Sequence, residues 1–251
     1  MRTYGQYCPI ARASEILAER WTPIIVRNLS LGCTTFNAIA DGAPGLSRGL
    51  LATRLRALAR AGVIEIRAKD DNRGSTYELT QAGRELWSVL LAYQDWGARW
   101  VELTPEHAHP GVVLWTWVTA YLRRDRLPHR RTVVRFDFPT VSSSRGNRGW
   151  LLVERGDAEI CENHPGGEED LVVDIRDPLA FARWHLGEIE WGDALRSGAI
   201  KLSGRRDLAR ALPTWSQRVT RPASAPAVAE NERTAKQLDH RQPARRGSLP
   251  R

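Results

Sequence analysis

The chain has 251 residues, 42% of them hydrophobic and 26% charged, a globular balance that excludes a collagen, a coiled-coil rod and a wholly disordered chain. No apolar run approaches the roughly 18 residues of a membrane span, and residues 1–9 show neither an apolar signal core nor a small-residue cleavage site, so a cytoplasmic protein without membrane contact is expected. The formal net charge of +8 favours an anionic partner, above all nucleic acid.

The first hundred residues read as short helices followed by a hairpin. Pro9, with Cys8 as the cap, opens a helix carrying Ile10, Ala13, Ile16 and Leu17. Thr22-Pro23 repeats the signal for a second helix holding Ile24, Ile25, Val26 and Leu29, stopped at Gly32. Thr34 or Thr35 caps a third that ends at Asp41-Gly42, and Ser47 caps a fourth ending at Ala61-Gly62. Strand-like runs over 63–67 and 75–79 flank a polar turn, and Thr80 caps a long helix with Leu86, Trp87, Leu90, Leu91 and Trp96. Helix-turn-helix followed by a hairpin is the winged-helix plan.

The fourth helix carries the sharpest signal. At 100° per residue Leu51, Leu55 and Leu58 form one apolar stripe, with Leu50 beside it. The opposite arc holds Arg48, Gly49, Ala52, Thr53, Arg56 and Arg60. Small residues at 49 and 52 let a backbone approach a surface, and the arginine fork grips guanine edges or phosphates. A helix in the major groove reads bases with its N-terminal residues, which selects Ser47, Arg48 and Thr53. Arg67, Lys69 and Arg73 on the hairpin are assigned to phosphates, and Arg54 to a flanking or backbone contact.

Residues 7–96 resemble the HxlR family of winged-helix transcription regulators, a MarR-related group. The resemblance rests on Tyr7-Cys8-Pro9-Ile10, Trp21-Thr22-Pro23-Ile24-Ile25, Phe36-Asn37-Ala38-Ile39, Gly45-Leu46-Ser47, Arg54-Leu55-Arg56-Ala57-Leu58 and Tyr77-Glu78-Leu79-Thr80. It implies a homodimer paired through first and last helices, and the expected function is a repressor of transcription that binds a palindromic operator in double-stranded DNA. Cys8, at a helix start with Arg12 one turn on, is the redox-sensing candidate; the resemblance adds that the matching cysteine in some relatives senses quinones, aldehydes or oxidants.

After Thr104-Pro105 the pattern changes. A helix over 112–122 precedes strands over 134–138, 150–153, 158–161 and 171–175, helices over 177–186 and 191–196, a strand over 199–202 and a helix over 206–212. This order resembles the sterol-carrier-protein fold, which implies a five-stranded sheet, helices on one face and a tunnel for apolar molecules. Trp115, Trp150, Trp184 and Trp191 are its pocket candidates for an apolar small-molecule effector. The alternative is that tryptophans pack the core.

The expected fold class is thus α+β: a winged helix-turn-helix domain over 1–103, an α/β sterol-carrier-like domain over 104–219 and a disordered basic tail over 220–251, too poor in apolar residues to offset its ordering. Cys33 and Cys161 are expected to be ordinary buried residues, Glu168-Glu169-Asp170 a solvated loop, and three scattered cysteines no disulfide framework. No nucleophile elbow, phosphate loop, cofactor motif or paired metal-ligand motif stands out, so no enzyme is expected. The competing reading is a carrier of lipid or another apolar ligand whose winged helix serves only protein contacts.

Overall fold

The structure, a computed structural model, describes residues 3–69, 74–140 and 147–217. The expected phosphate contact Arg73, the serines at 142–144 and the basic tail from 220 onward lie outside the described residues.

Helix α1 (Pro9–Leu17) begins on a proline whose missing N–H costs nothing there, although Cys8 makes no side-chain cap. Helix α2 (Thr22–Ser30) starts after Trp21, held at a left-handed φ of 78°. Helix α3 (Phe36–Asp41) is capped by Thr35, and α4 (Arg48–Arg60) by Ser47, whose Oγ accepts from the Leu50 N–H at 3.3 Å. Strands β1 (Ile64–Ala68) and β2 (Ser75–Leu79) pair antiparallel with Ile64 opposite Leu79. A lone bridge between Thr35 and Thr76 ties this hairpin to the start of α3. Thr80 caps α5 (Gln81–Trp100). The order is helix-turn-helix plus wing, closed by a long helix. Its core gathers Ile25, Val26, Ile39, Ile64 and the α4 stripe Leu51, Leu55 and Leu58, each of the stripe at most 2% exposed.

A second core forms beyond residue 104. Helix α6 (Pro110–Thr116) leads into a π-helical turn (Trp117–Tyr121), then strands β3 (Thr132–Asp137), β4 (Arg148–Glu154), β5 (Asp157–Cys161) and β6 (Leu171–Ile175). Helices α7 (Pro178–His185) and α8 (Trp191–Arg196), strand β7 (Ile200–Gly204) and α9 (Arg206–Ala211) complete it. The strands form one sheet in the order β5-β4-β3-β6-β7, with β3 and β6 parallel and the other neighbours antiparallel. Alternate residues such as Val134, Phe136, Leu151 and Val173 enter a core shared with Trp117, Phe181 and Trp184.

Two expectations need correction. The helix expected over 112–122 is α-helical only to Thr116, and the wider π turn follows where Trp115 and Trp117 are anchored in different cores. In the carboxylate run at 168–170, expected as a solvated loop, Glu168 is exposed but Glu169 and Asp170 are half-buried. The connection from β5 to β6 meets the face of the sheet opposite the core, where Glu169 accepts from Arg135 Nη1 at 2.5 Å and Trp150 Nε1 at 3.0 Å. Just before β6, the Val133 N–H donates to Asp170 Oδ2 at 3.0 Å and extends the pairing with β3.

Candidate nucleic-acid interface

Burial of the leucine stripe fixes which face α4 turns outward. Ser47, Arg48, Gly49, Thr53, Arg56 and Arg60 are exposed along it, and Ala52 is half-buried. The Thr53 hydroxyl donates to Gly49 O at 2.9 Å, which holds the side chain along its own helix. Leu50, placed beside the stripe on sequence grounds, is 36% exposed on the same outer side as Gly49.

The arginines are not equivalent. The Arg48 guanidinium donates twice to Asn37 Oδ1, at 3.0 and 3.1 Å, and lies 5.5 Å from the Phe36 ring centroid. A long side chain that would otherwise sample many rotamers is held by the preceding helix. Asn37 was missed in the sequence reading, because only the angle between α3 and α4 brings it there. Arg54, expected as a flanking or backbone contact, is engaged within the fold: its Nη2 pairs with Glu19 at 2.6 Å, with one side chain a fifth and the other a third exposed, and fastens α4 to the turn before α2. Helix α4 contains four arginines and no carboxylate, so this pairing leaves Arg48, Arg56 and Arg60 for the outer face.

On the wing, Arg67 is exposed but meets Glu65 at 2.8 Å and Glu78 at 3.2 Å. The hydrogen bond it donates to Glu65 and the charge of Glu78 hold its guanidinium pKa above the ordinary value. A phosphate must displace two carboxylates to reach it. Lys69 is exposed at the edge of the described wing.

The other candidates lie apart. Cys8 is half-buried before α1, Cys33 is buried, and Cys161 is only half-buried, correcting its expected burial. The four candidate pocket tryptophans stand at three separate places. Trp184 and Trp191 meet with ring centroids 4.5 Å apart. Trp150 lies on the opposite face of the sheet, bonded to Glu169 and near His164, and Trp115 packs against the winged-helix core. These four therefore do not line a common pocket. The described residues hold no cluster of three or more His, Cys, Asp or Glu suited to a metal, and no described helix is long and apolar enough to cross a membrane.

The family match falls on the N-terminal part. The HxlR-like helix-turn-helix family matches residues 16–105. The HTH-type transcriptional regulator Rv3095 of Mycobacterium tuberculosis is 34% identical over 89 residues, 35% of this chain and 56% of that protein, so the chain spans little more than half of this relative. YvaP of Bacillus subtilis, also an HTH-type transcriptional regulator, is 32% identical over 104 residues, 39% of this chain and 93% of that protein. Among solved structures, the reduced form of the transcriptional regulator YodB from Bacillus subtilis is 27% identical, covering 39% of this chain and 97% of that one with a TM-score of 0.35. The winged helix, the exposed basic arc of α4 and near-complete coverage of a relative at this identity agree: the chain belongs to the HxlR family of helix-turn-helix proteins, its homologues named as transcriptional regulators.

Proposed function

We propose that this chain is a DNA-binding transcriptional repressor that grips a palindromic operator as a homodimer, with α4 in the major groove. The observation that carries this is the outer arc of α4: Arg48, Arg56 and Arg60 around small residues, with no carboxylate on the helix. Such an arc suits both base edges and phosphates. The reading is supported at the level of pairing by α5, where Val89, Tyr93, Trp96 and Trp100 recur at four, three and four residues and are 39%, 56%, 62% and 38% exposed. Tyr7 and Ile10 before and in α1 are 95% and 77% exposed. Exposed apolar surface of this extent is normally covered by a partner, and an identical α5 supplies a matching stripe.

The chain divides in this proposal into a DNA-reading part over 1–103 and a sterol-carrier-like part over 104–219. The latter adjusts DNA affinity when an apolar molecule enters beside Trp184 and Trp191, the pair closest to each other. Half-buried Cys8 offers a second, electrophile-driven route through α1. The test is a mobility shift on DNA bordering the gene, with and without fatty acids, sterols or aromatic acids, and with a quinone. Retarded DNA whose affinity changes with one of these classes supports the proposal. Retardation of all sequences alike contradicts it.

A further inference from the structure

Trp115 lies ten residues beyond the segment the family matches, yet its half-buried ring packs against the winged-helix core. It reaches the junction between α3 and α4, where three observations meet. Gly42 follows α3 with φ −80°, a conformation open to any residue, so its backbone does not require glycine. Space does: a methyl group there would overlap Trp115 Cζ2 and Cη2 and the Asn28 amide. Second, the Arg27 guanidinium lies 5.3 Å from the Trp115 ring centroid while donating to Gly42 O at 2.8 Å and to Asn28 Oδ1 at 2.8 and 3.0 Å. Third, fully buried Asn28 donates to Ile39 O at 2.9 Å. The carbonyls at the end of α3 are thus held by two α2 side chains, beneath an aromatic cover from α6.

We propose that Trp115 is a positioning residue for DNA reading, fixing the α3–α4 turn, and hence the angle of α4, from the C-terminal part of the chain. Hydrogen bonds of this kind strengthen when water is kept away, and Trp115 excludes water from the Arg27–Asn28–Gly42 set. The same helical segment sets Trp117 among Phe136, Phe181 and Trp184 at centroid distances of 5.8, 5.5 and 6.0 Å. Residues 110–121 therefore tie the sheet core to the reading helix, and the partner that senses this tie is the DNA site itself. The proposal rests on α4 being the DNA-reading element.

The test uses the full chain and two readouts. Hydrogen exchange of the non-proline amides of residues 39–47 in the free protein measures the turn, with amides 179–185 of α7 as the control for an intact sheet core. Affinity for the bordering DNA, against a shuffled sequence, measures the consequence. Trp115→Ala should raise exchange over 39–47, leave α7 protected and lower site affinity by about tenfold. Trp115→Phe should restore most of both. Gly42→Ala should reproduce the loss, and the double variant should lose less than the two single losses combined, because both act at one place. Unchanged exchange over 39–47 in Trp115→Ala, or fully additive losses, would overturn the positioning role. Faster exchange there, with wild-type protein that does not distinguish site from shuffled DNA, would instead sustain the positioning of the turn and remove the DNA reading.

Discussion

Arg48 shows how a side chain expected to read a base is stored before it meets one. Its fork is shared between Asn37 Oδ1 and the Phe36 face, so less rotational freedom remains to be lost on binding. Arg48→Ala should lower discrimination between a specific site and shuffled DNA by about 1–3 kcal/mol, whereas Arg56→Ala should weaken both and reduce the salt slope by roughly one. Asn37→Ala should fall on the side of Arg48, with a smaller loss. Arg67→Ala should change little, since Glu65 and Glu78 already neutralise that charge. Competition titrations at several salt concentrations check all four.

His185 makes a separate prediction at this scale. It is 3% exposed, and burial lowers its pKa from 6.5 to about 4. The unfolded chain binds that proton more readily, so stability is lost as pH falls from about 6.5 towards 4. The full difference is about 3 kcal/mol. Urea unfolding at pH 7 and pH 4 checks it: His185→Leu should flatten this part of the pH dependence, and an equal slope in the variant would contradict the assignment. The α4 stripe and its outward arc were legible because helical periodicity alone sorts Leu51, Leu55 and Leu58 from Arg48, Arg56 and Arg60. Asn37 under Arg48, Glu19 on Arg54 and Glu78 on Arg67 were not, because each pair meets only after separate elements pack.

At the scale of elements, α4 and α5 have opposite debts. Helix α4 buries its leucines internally, and Leu55→Ala should cost about 2–5 kcal/mol by leaving a cavity in a core where Leu55 is 1% exposed. Helix α5 instead leaves Tyr93 and Trp96 more than half exposed. Placing a charge there, as in Trp96→Glu, should spare the monomer and break pairing. Sedimentation equilibrium should then move from twice 28.3 kDa to the single-chain mass of 28.3 kDa. A wild-type chain already at the single mass would contradict the paired arrangement. Most element positions followed from caps, prolines and glycines, which act locally. The π turn after Thr116 did not, because it is set by Trp115 and Trp117 facing different cores rather than by a local signal. Nor could sequence show that Glu169 serves the sheet face, since Arg135 and Trp150 lie 34 and 19 residues before it.

For the whole molecule, one helical segment serves both cores, with Trp115 packed against the first and Trp117 buried in the second. The frequency of tryptophan beyond residue 104 was plain in the sequence. Its division among the sheet core, the opposite sheet face and the winged helix was not, because composition carries no direction. A C-terminal part that bears on the α3–α4 turn gives the extra residues a mechanical reason to be attached to a DNA-reading unit. That account depends on α4 distinguishing one DNA sequence from another. Fluorescence anisotropy of the full chain on DNA bordering its gene, against shuffled DNA and across a salt series, tests this most directly. The account predicts a site preference that falls with Arg48→Ala, together with affinity that falls steeply as salt rises. Equal affinity for both DNAs, or a preference untouched by Arg48→Ala, would contradict it.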